Sequence, residues 1–111
     1  MATENAAGGP YRRIAADTAW DILRRRDTLV LDVRDANSFA AGHIDSAVHV
    51  TRNNLDPIIL RTPKATPVLI YCYHGNASRT YAQMFADFGF REVYSVDGGY
   101  DGWRAAQASR T

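Results

Sequence analysis

Val68-Leu69-Ile70-Tyr71-Cys72-Tyr73-His74-Gly75-Asn76-Ala77-Ser78-Arg79 is an apolar run that delivers the only cysteine of the chain to a short polar loop opening onto a helix. An apolar stretch, a glycine-containing turn and then apolar residues at helical spacing read as strand, cradle and helix N-terminus. A cysteine held there sits near the positive end of the helix dipole and under backbone N–H groups that lack intrahelical partners, and both favour thiolate over thiol. Gly75 and Asn76 are the residue types that most readily accept unusual φ values, so successive N–H groups can converge into an anion-binding nest without any side-chain charge. The bland alternative is a small buried filler. The loop context favours the other reading, in which Cys72 is a nucleophile.

Working outward, residues 28–33 (Thr-Leu-Val-Leu-Asp-Val) are β-branched and almost wholly apolar, as in a strand buried on both faces of a parallel sheet. Asp35 is expected to cap a short helix through Ser38, Phe39 and Ala40, with Gly42 ending it in a left-handed conformation, before Ala47-Val48-His49-Val50 forms a further strand. Nearer the N-terminus, residues 11–14 suggest an edge strand. Asp17 suits an N-cap, Trp20 and Leu23 share a helical face, and Arg24, Arg25 and Arg26 suit the negative helix end. Pro57 restricts the helix among residues 51–61 to starting or breaking there, with Leu55, Ile58, Ile59 and Leu60 facing the core.

Downstream of the cysteine loop, Tyr81, Met84, Phe85 and Phe88 lie at helical spacing. Gly89 supplies the stop, and Phe85 and Phe90 stand where a Schellman cap places its hydrophobic contact. Residues 93–96 read as a last strand, Asp97-Gly98-Gly99 as a turn, and residues 100–106 as a closing helix anchored by Trp103. Trp103, Phe85 and Phe88 are expected in the core. This alternation predicts an α/β fold with a mainly parallel central sheet flanked by helices on both faces. Ligand sites in such sheets form beyond the carboxyl ends of the strands, where Cys72, the segment carrying Asp32 and Arg34, and the 97–99 turn should meet. Asp32 and Arg34 read as a structural ion pair.

Composition bounds the partners. With 111 residues, 46% of them hydrophobic, the chain suits one domain over residues 11–111, preceded by a small, polar arm at 1–10 expected to be disordered. Thirteen basic against 12 acidic side chains give a net charge of +1, too little for nucleic acid or an anionic membrane to be an expected partner. No run is long and apolar enough to cross a bilayer, and residues 1–10 lack a signal peptide's apolar centre, so a cytoplasmic location is expected. One cysteine forms no internal disulfide, and His43 and His49, without a second thiol or acidic cluster, give no expectation of a metal site.

The segments Leu31-Asp32-Val33-Arg34-Asp35, Ser38-Phe39-Ala40, Gly42-His43, the loop Cys72-Tyr73-His74-Gly75-Asn76, and Tyr94-Ser95-Val96-Asp97-Gly98-Gly99 with Trp103 resemble, in this order and spacing, the rhodanese family. The loop is similar to that of its bacterial single-domain thiosulfate sulfurtransferases. The resemblance covers about residues 11 to 106, most of the chain on the domain-size scale. It implies transfer of sulfane sulfur from thiosulfate, or another sulfane-sulfur donor, to cyanide, a dithiol or a thioredoxin-like acceptor. Transfer would run by ping-pong kinetics through a Cys72 persulfide, with no cofactor. Tyr73, His74, Gly75, Asn76, Ala77, Ser78 and Arg79 would bind substrate, their N–H groups stabilising first the thiolate and then the persulfide. Many rhodaneses carry a cation early in this loop. Here Tyr73 and His74 take those places and Arg79 is the first fixed cation, which implies weak thiosulfate binding.

Two other classes fit parts of the pattern. A cysteine phosphatase also joins strand to helix through a cysteine loop, but its phosphate-binding arginine comes six positions after the cysteine, where this chain has Ser78. A sulfur-carrying or regulatory module that docks on a larger partner would keep the same loop.

Overall fold

The computed structural model describes residues 11–25 and 27–110. Its elements run β1 (Arg12–Ile14), α1 (Ala16–Arg25), β2 (Leu29–Asp32), α2 (Ala36–Ala41), β3 (Val48–His49), α3 (Leu55–Arg61), β4 (Val68–Tyr71), α4 (Ala77–Asp87), β5 (Val93–Val96) and α5 (Gly99–Ser109). The arm at 1–10 and Arg26 lie outside the described residues.

All five strands pair in parallel in the order β1-β5-β4-β2-β3. The central strand β4 is buried along its whole length, and its alternate side chains feed two separate cores, as the two-residue period of a strand dictates. Leu69 and Tyr71 join Val30, Tyr94 and Val96 under α1 and α5, where Trp20 and Trp103 stack with ring centroids 4.0 Å apart. Val68 and Ile70 join Leu31 and Val93 under α3 and α4, against Ile59, Ala82 and Phe85. From the adjacent strands β2 and β4 the chain leaves in opposite directions, to β3 on one side and β5 on the other. That divergence opens a crevice at their carboxyl ends, and the residue that follows β4 is Cys72.

The expected sheet is present, with several local differences. Asp17 sits in the first turn of α1 rather than capping it, so its carboxylate faces the positive helix end from within. Asp35 caps α2 as expected, accepting from the Ser38 N–H at 2.8 Å. Gly42 ends α2 with extended backbone (φ 168°) and not in the left-handed region, and the Tyr100 hydroxyl lies 2.9 Å from where a Cβ would stand, so a larger residue here would have to displace that side-chain end. Leu60 is 76% exposed, because three consecutive apolar residues on a helix cannot all point inward and Ile59 takes the core position. Phe88 is likewise outside the core. It is the C-cap residue of α4, and the Gly89 turn (φ 97°) brings Phe90 inward instead. The Schellman pattern is complete: Phe90 N–H donates to Phe85 O, Gly89 N–H to Ala86 O, and the two phenylalanine rings lie 5.1 Å apart.

Asp32 and Arg34 form a buried ion pair at the end of β2. Arg34 Nη2 lies 2.7 Å from Asp32 Oδ2 and 2.6 Å from Gly42 O, with the guanidinium 4.1 Å over the Tyr100 ring. One arginine thus ties β2 to the end of α2 and the start of α5. Arg34→Met is expected to leave the Asp32 carboxylate buried and unpaired and to lower unfolding stability by about 3–5 kcal/mol in a chemical denaturation experiment. A change within error of zero would show that the pair is not structural.

Candidate active site

The residue after β4 places its sulfur where a side-chain cap of α4 would stand. Asn76, formally the N-cap, makes no side-chain cap hydrogen bond; the N–H of Ser78, second residue of the helix, donates to Cys72 Sγ at 3.3 Å instead. Gly75 N–H donates to the same sulfur at 3.2 Å, and the Ser78 hydroxyl lies 3.4 Å from it. The thiol group therefore caps the helix, and the helix dipole and the amides act on one atom. Of the two residues expected to bend the loop, Gly75 alone takes a positive φ (100°); Asn76 has ordinary right-handed backbone (φ −92°).

Cys72 is 2% exposed, and burial is the strongest single influence on its thiol, pushing the pKa up. The Ser78 hydroxyl and the N–H groups of Ser78, Gly75 and His74 act in the opposite sense and together outweigh it, so the thiol titrates below the usual cysteine range. Because every one of these donors favours the anion, removing one must raise the pKa. The rate of Cys72 alkylation by iodoacetamide is expected to rise as pH climbs through this lowered midpoint and to level off above it. In Ser78→Ala the midpoint should move to higher pH by about one unit. An unmoved midpoint would remove the hydroxyl from the set of sulfur donors.

The predicted loop residues divide into two groups. The backbone of His74, Gly75 and Ser78, with the Ser78 side chain, is turned toward the sulfur. The longer side chains are engaged elsewhere. Tyr73 donates its hydroxyl to Asp35 Oδ2 and accepts from the Asp35 N–H at 3.1 Å, strapping the loop to the N-cap of α2. His74 Nδ1 lies 3.2 Å from Asp101 Oδ2 on the first turn of α5, with both side chains well exposed. The Arg79 guanidinium holds Asn76 Oδ1 at 2.9 Å, and Ala77 opens α4 on the exposed side.

The 97–99 turn meets the cysteine loop as expected, and the fold adds how closely: Gly98 (φ 79°) and Gly99 (φ 57°) lay the chain directly on it. A Cβ on Gly99 would stand 2.4 Å from the carbonyl carbon and oxygen of Tyr73 and 2.5 Å from Cys72 O; one on Gly75 would stand 3.0 Å from Gly98 N. Tyr100 N–H completes the clamp, donating to Cys72 O at 2.8 Å. One contribution went unread in the sequence: Ser95 on β5, fully buried, with its hydroxyl 2.7 Å from Ser78 Oγ. A hydroxyl in an otherwise apolar, fully buried strand must find a partner, and that was the available signal.

A parallel α/β domain that holds a cysteine sulfur under the amides of a helix start has the geometry that enzymes with a cysteine nucleophile use. Comparison with known proteins makes this specific, because the Rhodanese-like domain model matches residues 15–106, and the chain belongs to that family. It is 40% identical over 95 residues to the thiosulfate sulfurtransferase GlpE of Coxiella burnetii (strain RSA 331 / Henzerling II), covering 86% of this chain and 89% of that protein. It is 39% identical over 101 residues to the protein of the same name from Pseudomonas putida (strain GB-1), covering 91% and 92%. Among solved structures, a rhodanese-related protein from Thermoplasma volcanium superposes with a TM-score of 0.73 at 24% identity, covering 86% of this chain and 93% of that one, a likeness of fold.

Proposed function

We propose that this chain is a thiosulfate sulfurtransferase that carries sulfane sulfur as a persulfide on Cys72. The observation that carries the reading is the convergence of the Gly75 and Ser78 N–H groups and the Ser78 hydroxyl on a single sulfur at the N-terminus of α4. The GlpE relatives, 39–40% identical over about nine-tenths of their length, support it.

In the first half-reaction the Cys72 thiolate attacks the outer sulfur of thiosulfate. A new S–S bond forms, the old one breaks, and sulfite departs with its electron pair. The charge that began on Sγ now rests on the outer sulfur of the persulfide, beside N–H donors that are already oriented and need no reorganisation. In the second half-reaction cyanide, or the thiolate of a dithiol or thioredoxin-like protein, takes the outer sulfur and the electron pair returns to Sγ. Both steps balance without a further reagent, and the covalent intermediate makes the kinetics ping-pong.

A phosphatase reading finds no support in the loop. Six positions after the cysteine stands Ser78, whose hydroxyl faces the sulfur, while the Arg79 guanidinium is engaged with Asn76. Among the described residues no helix is long and apolar enough to span a membrane. A thiol that must stay reduced suits the cytoplasm. Residues 11–111 act as one domain in this reading.

Intact mass spectrometry tests the proposal. After incubation with thiosulfate the chain should gain the mass of one sulfur atom, and cyanide should remove it with release of one equivalent of thiocyanate. A mass unchanged after thiosulfate alone, with thiocyanate nonetheless formed when cyanide is present, would replace the covalent route with direct transfer.

A further inference from the structure

We propose that Ser95 is a positioning residue that aims the Ser78 hydroxyl at the Cys72 sulfur, so that one buried row of hydroxyls favours the anionic form. The inference rests on the reading of Cys72 as the nucleophile. Ser95 pairs with Ile70 of the neighbouring strand β4, two residues before the cysteine, and both Ser78 and Ser95 are fully buried. Cys72 Sγ, Ser78 Oγ and Ser95 Oγ form a row with separations of 3.4 and 2.7 Å. Among the described residues Ser78 is the one hydrogen-bond partner of the Ser95 hydroxyl.

Counting protons shows what the row does. Three atoms in line offer two hydrogen-bond links. With a neutral thiol there are three protons for two links, and one of them points out of the row. With a thiolate there are two protons, and both links are filled only when Ser95 donates to Ser78 and Ser78 donates to sulfur. The row is therefore complete when the sulfur is charged, and each bond polarises the next. Without Ser95 the Ser78 oxygen would accept as readily from the thiol as it donates to the thiolate, and the preference would weaken. The same direction of donation serves the second half-reaction, in which Sγ is the leaving group and recovers the electron pair.

Ser95 touches neither sulfur nor substrate, so the test must separate aiming from packing. Iodoacetamide alkylation of Cys72 as a function of pH reads the thiolate with no sulfur donor present, so its outcome is independent of whether the chain transfers sulfur. In Ser95→Ala the midpoint is expected to move to higher pH by about half a unit, with the rate above both midpoints equal to the parent's. In a Ser78→Ala background the same change should add no further shift. An isosteric pair guards against loss of packing: Ser95→Thr keeps the hydroxyl and should titrate like the parent, whereas Ser95→Val should titrate like Ser95→Ala. Any of three results overturns the inference: an unmoved midpoint in Ser95→Ala, an equal loss of rate at every pH, or Thr and Val variants that titrate alike.

Discussion

Cys72→Ser is expected to abolish sulfur transfer, lowering turnover by at least about 10³-fold. The reason lies in the acid–base chemistry of the replaced atom. The Gly75 and Ser78 N–H groups and the Ser78 hydroxyl draw the thiol below its usual range even though the residue is almost wholly buried. An alcohol begins so much higher that the same donors leave it protonated at neutral pH. An oxygen at this position still caps α4, so the variant should fold and unfold much like the parent. Steady-state thiocyanate formation and the mass gain after thiosulfate should vanish together while the thermal midpoint holds. Activity within tenfold of the parent would mean that another group takes the sulfur, and the proposed mechanism would fall.

Gly99→Ala should give the largest loss of stability of any glycine-to-alanine change among the described residues. A Cβ there would lie 2.4 Å from the backbone of Tyr73, at a φ of 57°, and backbone held in the cysteine loop cannot swing away as a flexible side chain could. We expect a loss of about 4 kcal/mol, equivalent to about a 20 °C fall in Tm for a domain of this size. Gly89→Ala provides the control. It has a positive φ of 97° but nothing within 4 Å of the added carbon, so only the left-handed backbone is penalised, at about 1–2 kcal/mol. The difference between the two variants measures the close approach itself. Equal thermal midpoints would show that the α5 turn does not clamp the loop.

The features legible in the sequence are those that depend on neighbours along the chain. Buried strands appeared as unbroken apolar runs, the cap of α2 as Asp35 three residues before Ser38, and the end of α4 as Gly89 between Phe85 and Phe90. The setting of Cys72 was legible for the same reason, since strand, loop and helix start are contiguous. What escaped depends on elements brought together only by the fold. Tyr73 reaches Asp35 and His74 reaches Asp101, so side chains that looked free to meet substrate are tied to α2 and α5. Leu60 and Phe88 show the limit of periodicity, because spacing marks a face without saying whether anything will cover it. Ser95 enters the site from β5 through a contact that no local pattern encodes, and the 97–99 turn, expected there, approaches Tyr73 more closely than its sequence could tell.

The clamp of Gly99 and Tyr100 on the cysteine loop also carries a temporal meaning. During translation Cys72 emerges before β5 and α5, which hold its loop in place. A nascent polypeptide that has reached only the end of α4 lacks Ser95, the glycine pair and the Tyr100 amide. Its cysteine loop has none of these contacts, and the arrangement described above is assembled only once β5 and α5 have been made.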